Sequence, residues 1–213
     1  MPSLRILLGD DHPLVLDGLK GLLEADGFKV LATAEDGRAL VEAAKHHRPD
    51  LIILDISMPL LNGIEAARQI SKILPSCKLI FLTMHADATY AREALEAGGS
   101  GYLLKRSAAS ELKQAIKVVM SGRRYLTPLI PHDDRRLRRT SPKEPLTFGS
   151  LTPRQREILQ LLAEGQSSKN IASLLKISVK TVEFHKARIM DQLGLHTTAE
   201  LTQYALAHGL ANP

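Results

Sequence analysis

In the first 122 positions, short and mostly apolar runs alternate with stretches patterned at helical spacing. The runs are Leu4–Leu8, Phe28–Thr33, Leu51–Asp55, Lys78–Thr83 and Gly101–Leu104. Their length and apolar content predict strands. Leu51-Ile52-Ile53-Leu54 has no polar member, the pattern of a strand buried on both faces of a parallel sheet. After the first run, Pro13 suits a first helical turn, and Leu14, Leu16, Leu19, Leu22 and Leu23 follow at helical spacing. Glu35-Asp36 opens a second helix, with Ala39, Leu40, Ala43 and Ala44 on one face. Ile64, Ala67, Ile70, Ser71 and Leu74 mark a third, which stops before Pro75. Ala88–Ala97, closed by Gly98-Gly99, and Ala109–Met120, stopped by Ser121-Gly122, complete the series. Five alternating strand–helix pairs predict an α/β domain: a flavodoxin-like, doubly wound, five-stranded parallel sheet in the order 2-1-3-4-5.

Four prolines and a charged run, Asp133–Arg139, fill the next stretch. Residues 123–146 therefore read as a linker that buries no core. Its Arg135, Arg136, Arg138 and Arg139 read first as a solvated charge run. Residues 147–213 return to helical periodicity and predict a small all-α four-helix domain. Thr152-Pro153 opens its first helix, Ser168 is a cap candidate for the second, and Lys176-Ile177-Ser178 is a tight turn. The third helix spans Val179–Leu193 and ends at Gly194, and Thr198 is a cap candidate for the fourth.

Charge sharpens the division. Lys+Arg against Asp+Glu is 14 to 15 in residues 1–122, 7 to 3 in 123–146 and 7 to 5 in 147–213. The basic excess lies in the C-terminal part, which suits a polyanion partner. Cys77 is the single cysteine, so neither an internal disulfide nor a cysteine–zinc cluster is available. No apolar stretch nears the ~18 residues that span a membrane, and a cytoplasmic setting is expected.

The chemistry gathers where strands end. The first run ends in Asp10-Asp11, the third in Asp55, the fourth in Thr83 and the fifth in Lys105. In an open α/β sheet, ligands bind beyond these carboxyl ends. Strands one and three are neighbours in the predicted order, so three carboxylates converge. Their mutual repulsion calls for a divalent cation, and oxygen ligands favour Mg²⁺. One carboxylate is then placed to attack phosphorus, with Lys105 supplying positive charge and Thr83 a hydroxyl. In the C-terminal domain, two short helices joined by a tight turn form a helix-turn-helix pattern. The outward positions of its second helix are Lys180, Thr181, Glu183, Phe184, Lys186, Ala187 and Arg188. The cations suit DNA phosphates; Glu183, Phe184 and Ala187 suit base edges.

These motifs carry a resemblance. Asp10-Asp11-His12-Pro13, Asp55-Ile56-Ser57-Met58-Pro59 with Gly63, Thr83 and Gly101–Lys105 resemble the receiver domain of bacterial two-component response regulators. Leu151–Leu159, Ile171-Ala172, Ile177-Ser178, Thr181–His185 and Leu193-Gly194 resemble the LuxR-type DNA-binding domain. Together they resemble a NarL/FixJ-type response regulator. The resemblance implies that Asp55 accepts a phosphoryl group from a sensor histidine kinase. It also implies that Asp10, Asp11, Asp55 and the Ser57 backbone carbonyl hold Mg²⁺, and that Thr83 and Tyr102 form a switch pair in which Tyr102 swings inward. Double-stranded DNA is the expected target, a homodimer the expected binding form, and RNA polymerase a further candidate partner; no membrane is involved. Many relatives carry lysine where this chain has Glu183, a departure that bears on the operator sequence. Two other readings stand beside this one: a DNA binder indifferent to phosphorylation, and an aspartate-nucleophile phosphatase. The phosphatase reading lacks a general acid two residues after Asp55, where Ser57 stands.

Overall fold

Strands β1 (Arg5–Gly9), β2 (Lys29–Ala34), β3 (Leu51–Leu54), β4 (Lys78–Thr83), β5 (Gly101–Leu104) and β6 (Tyr125–Leu126) form one sheet. The computed structural model describes residues 3–130 and 151–211. All pairings are parallel, in the order β2-β1-β3-β4-β5-β6. The five expected strands and their order hold, but the sheet has six strands rather than five. Tyr125 and Leu126, read from sequence as the start of a linker, pair with Gly101 and Tyr102. Thr127 and Ile130 beyond them are also buried. A two-residue strand has no periodicity to recognise. The charged run of the linker, with its four arginines, lies outside the described residues.

Successive side chains on a strand point to opposite faces, and the two faces are covered by different helices. Ile6, Leu8, Leu51, Ile53, Ile80, Leu82 and Leu103 pack with α1 (Pro13–Ala25) and α5 (Ala108–Met120). Leu7, Ile52, Leu54, Leu79, Phe81 and Leu104 pack with α2 (Gly37–His47), α3 (Gly63–Ile73) and α4 (Ala88–Glu96). This explains why β3 is apolar at every position: each side chain meets one helical layer or the other. Leu14 shares the apolar spacing of α1 yet is exposed, while Leu16, Leu19 and Leu23 are buried. Asp36 caps α2 by accepting from the Ala39 amide at 2.7 Å, and Asn62 caps α3 by accepting from Glu65 at 2.9 Å.

The C-terminal helices are α6 (Pro153–Ala163), α7 (Ser168–Leu175), α8 (Val179–Leu193) and α9 (Thr198–Ala207). Thr152 and Gln155 form a reciprocal capping box on α6, as the Thr-Pro signal suggests. Two other caps fall one residue earlier than expected. Ser167, not Ser168, accepts from Asn170, and Thr197, not Thr198, accepts from Glu200. A cap lies outside the helix with its own carbonyl already bonded into it, and Ser167 and Thr197 meet that condition through Ile171 and Leu201. Gly194, at φ 65°, closes α8. Among the described residues, no helix is long and apolar enough to cross a membrane.

The two folded parts meet along a seam. Helix α6 lies against the loop after β3, where Gln160 is fully buried. Its side-chain amide donates to the Met58 carbonyl at 2.9 Å, and its oxygen accepts from the Asn62 amide at 2.8 Å. Arg156 pairs with Glu65 of α3 at 2.6 Å, and Arg38 of α2 pairs with Glu157 at 2.5 Å. Glu164 accepts from the Leu60 amide at 3.1 Å. Leu60 is held at φ 62°, a left-handed conformation unusual for leucine. The turn after α9 completes the seam: a Cβ at Gly209 would collide with the Tyr90 hydroxyl of α4.

Candidate functional site

The register of the sheet assembles the first site. Gly9 pairs with Leu54, so Asp10 and Asp55 leave adjacent strands side by side. Thr83 pairs with Leu104, so the residue ending β4 stands beside Lys105. Because β4 lies between β3 and β5, Thr83 sits between the ends that carry Asp55 and Lys105. Lys105 Nζ bridges the two acids, 2.7 Å from Asp10 Oδ2 and 2.8 Å from Asp55 Oδ2. The other Asp55 oxygen accepts from the Ile56 amide at 2.6 Å. Asp55 is 4% exposed and Asp10 is 2% exposed. Gly63 is required behind them, since a Cβ there would collide with the Asp55 carbonyl oxygen.

Burial pushes the Asp10 carboxyl up, and Lys105 offsets only part of that. At Lys105 burial opposes the charge, but Asp55 and Asp10 outweigh it and hold the ammonium above its usual range. One ammonium therefore faces two buried acids, with Asp11 beside them. Asp11 and Asp10 approach the His12 ring, 2.7 and 3.2 Å from its Nδ1. Asp10, Asp11 and His12 lie close enough together to hold one cation. An all-oxygen set from Asp10, Asp11, Asp55 and the Ser57 carbonyl would suit a hard ion such as Mg²⁺.

His85, which follows Thr83 and reads from sequence as a solvated loop histidine rather than one that tunes a phosphorylated state, is half-buried and well partnered. Its Nε2 lies 2.9 Å from Ser57 Oγ, its ring stacks on Tyr90 at 4.3 Å between centroids, and its amide donates to Thr83 Oγ1 at 3.3 Å. Its carbonyl accepts from the Tyr102 hydroxyl at 2.9 Å. Tyr102 is fully buried, so the ring expected to swing inward already points in. Thr83 and Tyr102 are thus joined through the backbone of His85. His85 itself lies in a loop, where periodicity carries no information.

The second site lies on α8. Lys180, Glu183, Phe184, Ala187 and Arg188 are exposed, Thr181 and Lys186 are half-buried, and Val182 and Ile189 are buried against the bundle. Phe184 is 57% exposed, with the Arg188 guanidinium 5.6 Å from its ring centre. The Thr181 hydroxyl is 2.8 Å from Ser178 Oγ, the cap of α8. The Glu183 carboxylate accepts from the Ser168 hydroxyl on the preceding helix. The seam uses α6 and the C-terminal turn, leaving this outward face of α8 open.

Comparison with known proteins agrees with both halves. Residues 6–117 match the response regulator receiver domain, and residues 149–205 match the LuxR family of bacterial regulatory proteins. The transcriptional regulatory protein MctR of Rhizobium johnstonii is 37% identical over 212 residues, covering 99% of this chain and 97% of MctR. RcsB from Salmonella enterica serovar Typhimurium, bound to a promoter with the phosphomimetic BeF3⁻, superposes with a TM-score of 0.56 at 28% identity, covering 95% of this chain and 97% of RcsB. A structure of two RcsB dimers on two parallel DNAs gives a TM-score of 0.57 at 29% identity, covering 95% of this chain and 97% of that one. The chain belongs to the NarL/FixJ-type two-component response regulators, which join a receiver domain to a LuxR-type DNA-binding domain.

Proposed function

We propose that the chain is a transcription factor controlled by phosphorylation of Asp55. The observation that carries this reading is the bridge of Lys105 between Asp10 and Asp55, with Thr83 at the adjoining strand end. Asp55 attacks the phosphorus of a phosphohistidine on a sensor kinase; the P–N bond breaks and the imidazole leaves. Lys105 turns from Asp10 toward the transferred oxygens, and the Thr83 hydroxyl donates to another. Asp10, Asp11, Asp55 and the Ser57 carbonyl would hold Mg²⁺, which when bound neutralises charge among the acids and phosphoryl oxygens. Residues 1–122 together with β6 supply this receiver, the stretch from there to residue 146 carries the connection, and 147–213 supply the DNA-binding domain.

The seam suggests how the signal reaches DNA. The loop gripped by Gln160 and Glu164 begins three residues after Asp55. Phosphorylation adds roughly 1.5–2 negative charges beside that loop. Drawing Thr83 toward the new charge pulls on His85, to which both Ser57 and Tyr102 are tied. The two domains then part, and freed DNA-binding domains pair as a homodimer on half-sites about one helical turn apart. RcsB, seen as dimers on DNA, supports that last step. At a promoter, the dimer helps or hinders RNA polymerase. The test is incubation with acetyl phosphate and Mg²⁺, followed by intact mass and DNA affinity. A phosphoryl mass gain absent in Asp55→Asn, with tighter binding to DNA, is expected. Tight DNA binding without any Asp55-dependent gain would favour the phosphate-indifferent reading.

A further inference from the structure

Glu93 is buried where the two domains meet, yet both its carboxylate oxygens lack a hydrogen-bond partner. It is 2% exposed. Helix α4 turns Ala91 and Ala94 toward the sheet, while Tyr90, Glu93 and Ala97 share a second buried face at helical spacing. That second face meets the DNA-binding domain, since Tyr90 is where Gly209 docks. The charges acting on Glu93 are Arg156 from α6, Arg68 from α3, and Arg92 and Glu96 from its own helix. Burial first, and then the neighbouring Glu93, hold up the phenols of Tyr90 on α4 and Tyr204 on α9. Arg156 is already committed to Glu65 at 2.6 Å and to the Leu151 carbonyl at 2.7 Å, and Glu65 also draws Arg68 to 3.6 Å. Two of the cations near Glu93, Arg156 and Arg68, therefore serve Glu65 first, and Arg92 makes no hydrogen bond to Glu93.

A carboxylate sealed from water without donors is costly to keep ionised, and a neutral carboxyl is far cheaper to bury. Nothing in the phosphotransfer site uses this group. We propose that Glu93 makes the seam between the two domains proton-linked: closing the seam takes up one proton at Glu93, and alkalinity loosens it. The chain would thus respond to intracellular pH as well as to phosphorylation. This rests on the release reading above for its link to DNA binding, but not for the proton itself.

The sign follows from burial. Burial raises the closed-state carboxyl to about 7, against an ordinary 4.5 once the seam opens and water reaches it. The closed state then holds more protons, so its advantage is full below pH ~4.5 and is lost as pH rises to about 7. Between pH 6 and 8 the closed-to-open ratio should fall about tenfold. Burial acts on Glu164 in the same sense and on His85 in the opposite one. The contribution of Glu93 is therefore the difference between the natural chain and Glu93→Gln.

The experiment uses the full chain with donor and acceptor dyes at Lys20→Cys and Gln203→Cys, both exposed positions. Cys77 is buried with its thiol pushed up to about 12, so it does not compete for dye. Energy transfer read from pH 6 to 8 should report the tenfold loss of closure, and Glu93→Gln should remove that component. Equal profiles in the two proteins would overturn the proposal. A carbon-13 titration of the Glu93 carboxyl in the unphosphorylated chain gives an independent reading, with a midpoint near 7 expected and one near 4.5 refuting it. If phosphorylation separates the dyes but pH does not, the proton link alone fails. If pH separates them but phosphorylation does not, the release reading fails and the proton link stands.

Discussion

Lys105 holds two acids that would otherwise repel each other across neighbouring strand ends. Replacing it with alanine should slow labelling of Asp55 by acetyl phosphate at least about tenfold, a barrier increase of about 1.4 kcal/mol, measured as the rate of mass gain. Asp55→Asn should abolish the mass gain while leaving the fold intact, as checked by circular dichroism. The acids, Thr83 and Lys105 were legible in the sequence because each ends an apolar run, and parallel strands bring their ends to one rim. His85 was not legible. Its contacts to Ser57, Tyr90 and Tyr102 join two loops, a helix and a strand, and nothing in local spacing tells where two loops will touch.

At the scale of elements, helix α8 is the part that meets DNA in the proposed function. Lys180→Ala or Lys186→Ala should weaken binding to all sequences alike and reduce the salt slope by about one, measured by titration at several salt concentrations. An unchanged slope would show that the altered lysine touches no phosphate. The bounds of α8 were readable from end to end, from the turn at Lys176 to the glycine stop at 194. The caps Ser167 and Thr197 stand one position before the expected Ser168 and Thr198 because two hydroxyl residues lie side by side at both starts. Leu14 misled for a related reason: an apolar residue in the first turn can fit the spacing and still face water. Strand β6 was missed because pairing with β5, not its own sequence, makes it a strand.

Across the whole molecule, the seam is where sequence reading ran out. Arg156, Glu157 and Gln160 are polar, and nothing in their spacing marks a partner, yet all three are buried. Gln160→Ala strips partners from the Met58 carbonyl and the Asn62 amide, at about 1–3 kcal/mol for each group left unsatisfied. It should open the chain without phosphate and raise DNA affinity in the unphosphorylated state, measured by fluorescence anisotropy. Arg156→Ala strands Glu65 and should act in the same direction, with a larger loss of closure. A variant that opens in this way but gains no affinity would separate domain release from DNA binding.

One apolar cluster runs from Leu7 and Phe81 in the sheet, through Leu61 and Ile158, to Ile189 and Leu201 in the last helices. A body so continuous should take up heat as a single cooperative unit. The quiescent protein is then expected to give one calorimetric peak. Once Asp55 carries its phosphoryl group, two separate endotherms should emerge, each half melting on its own account.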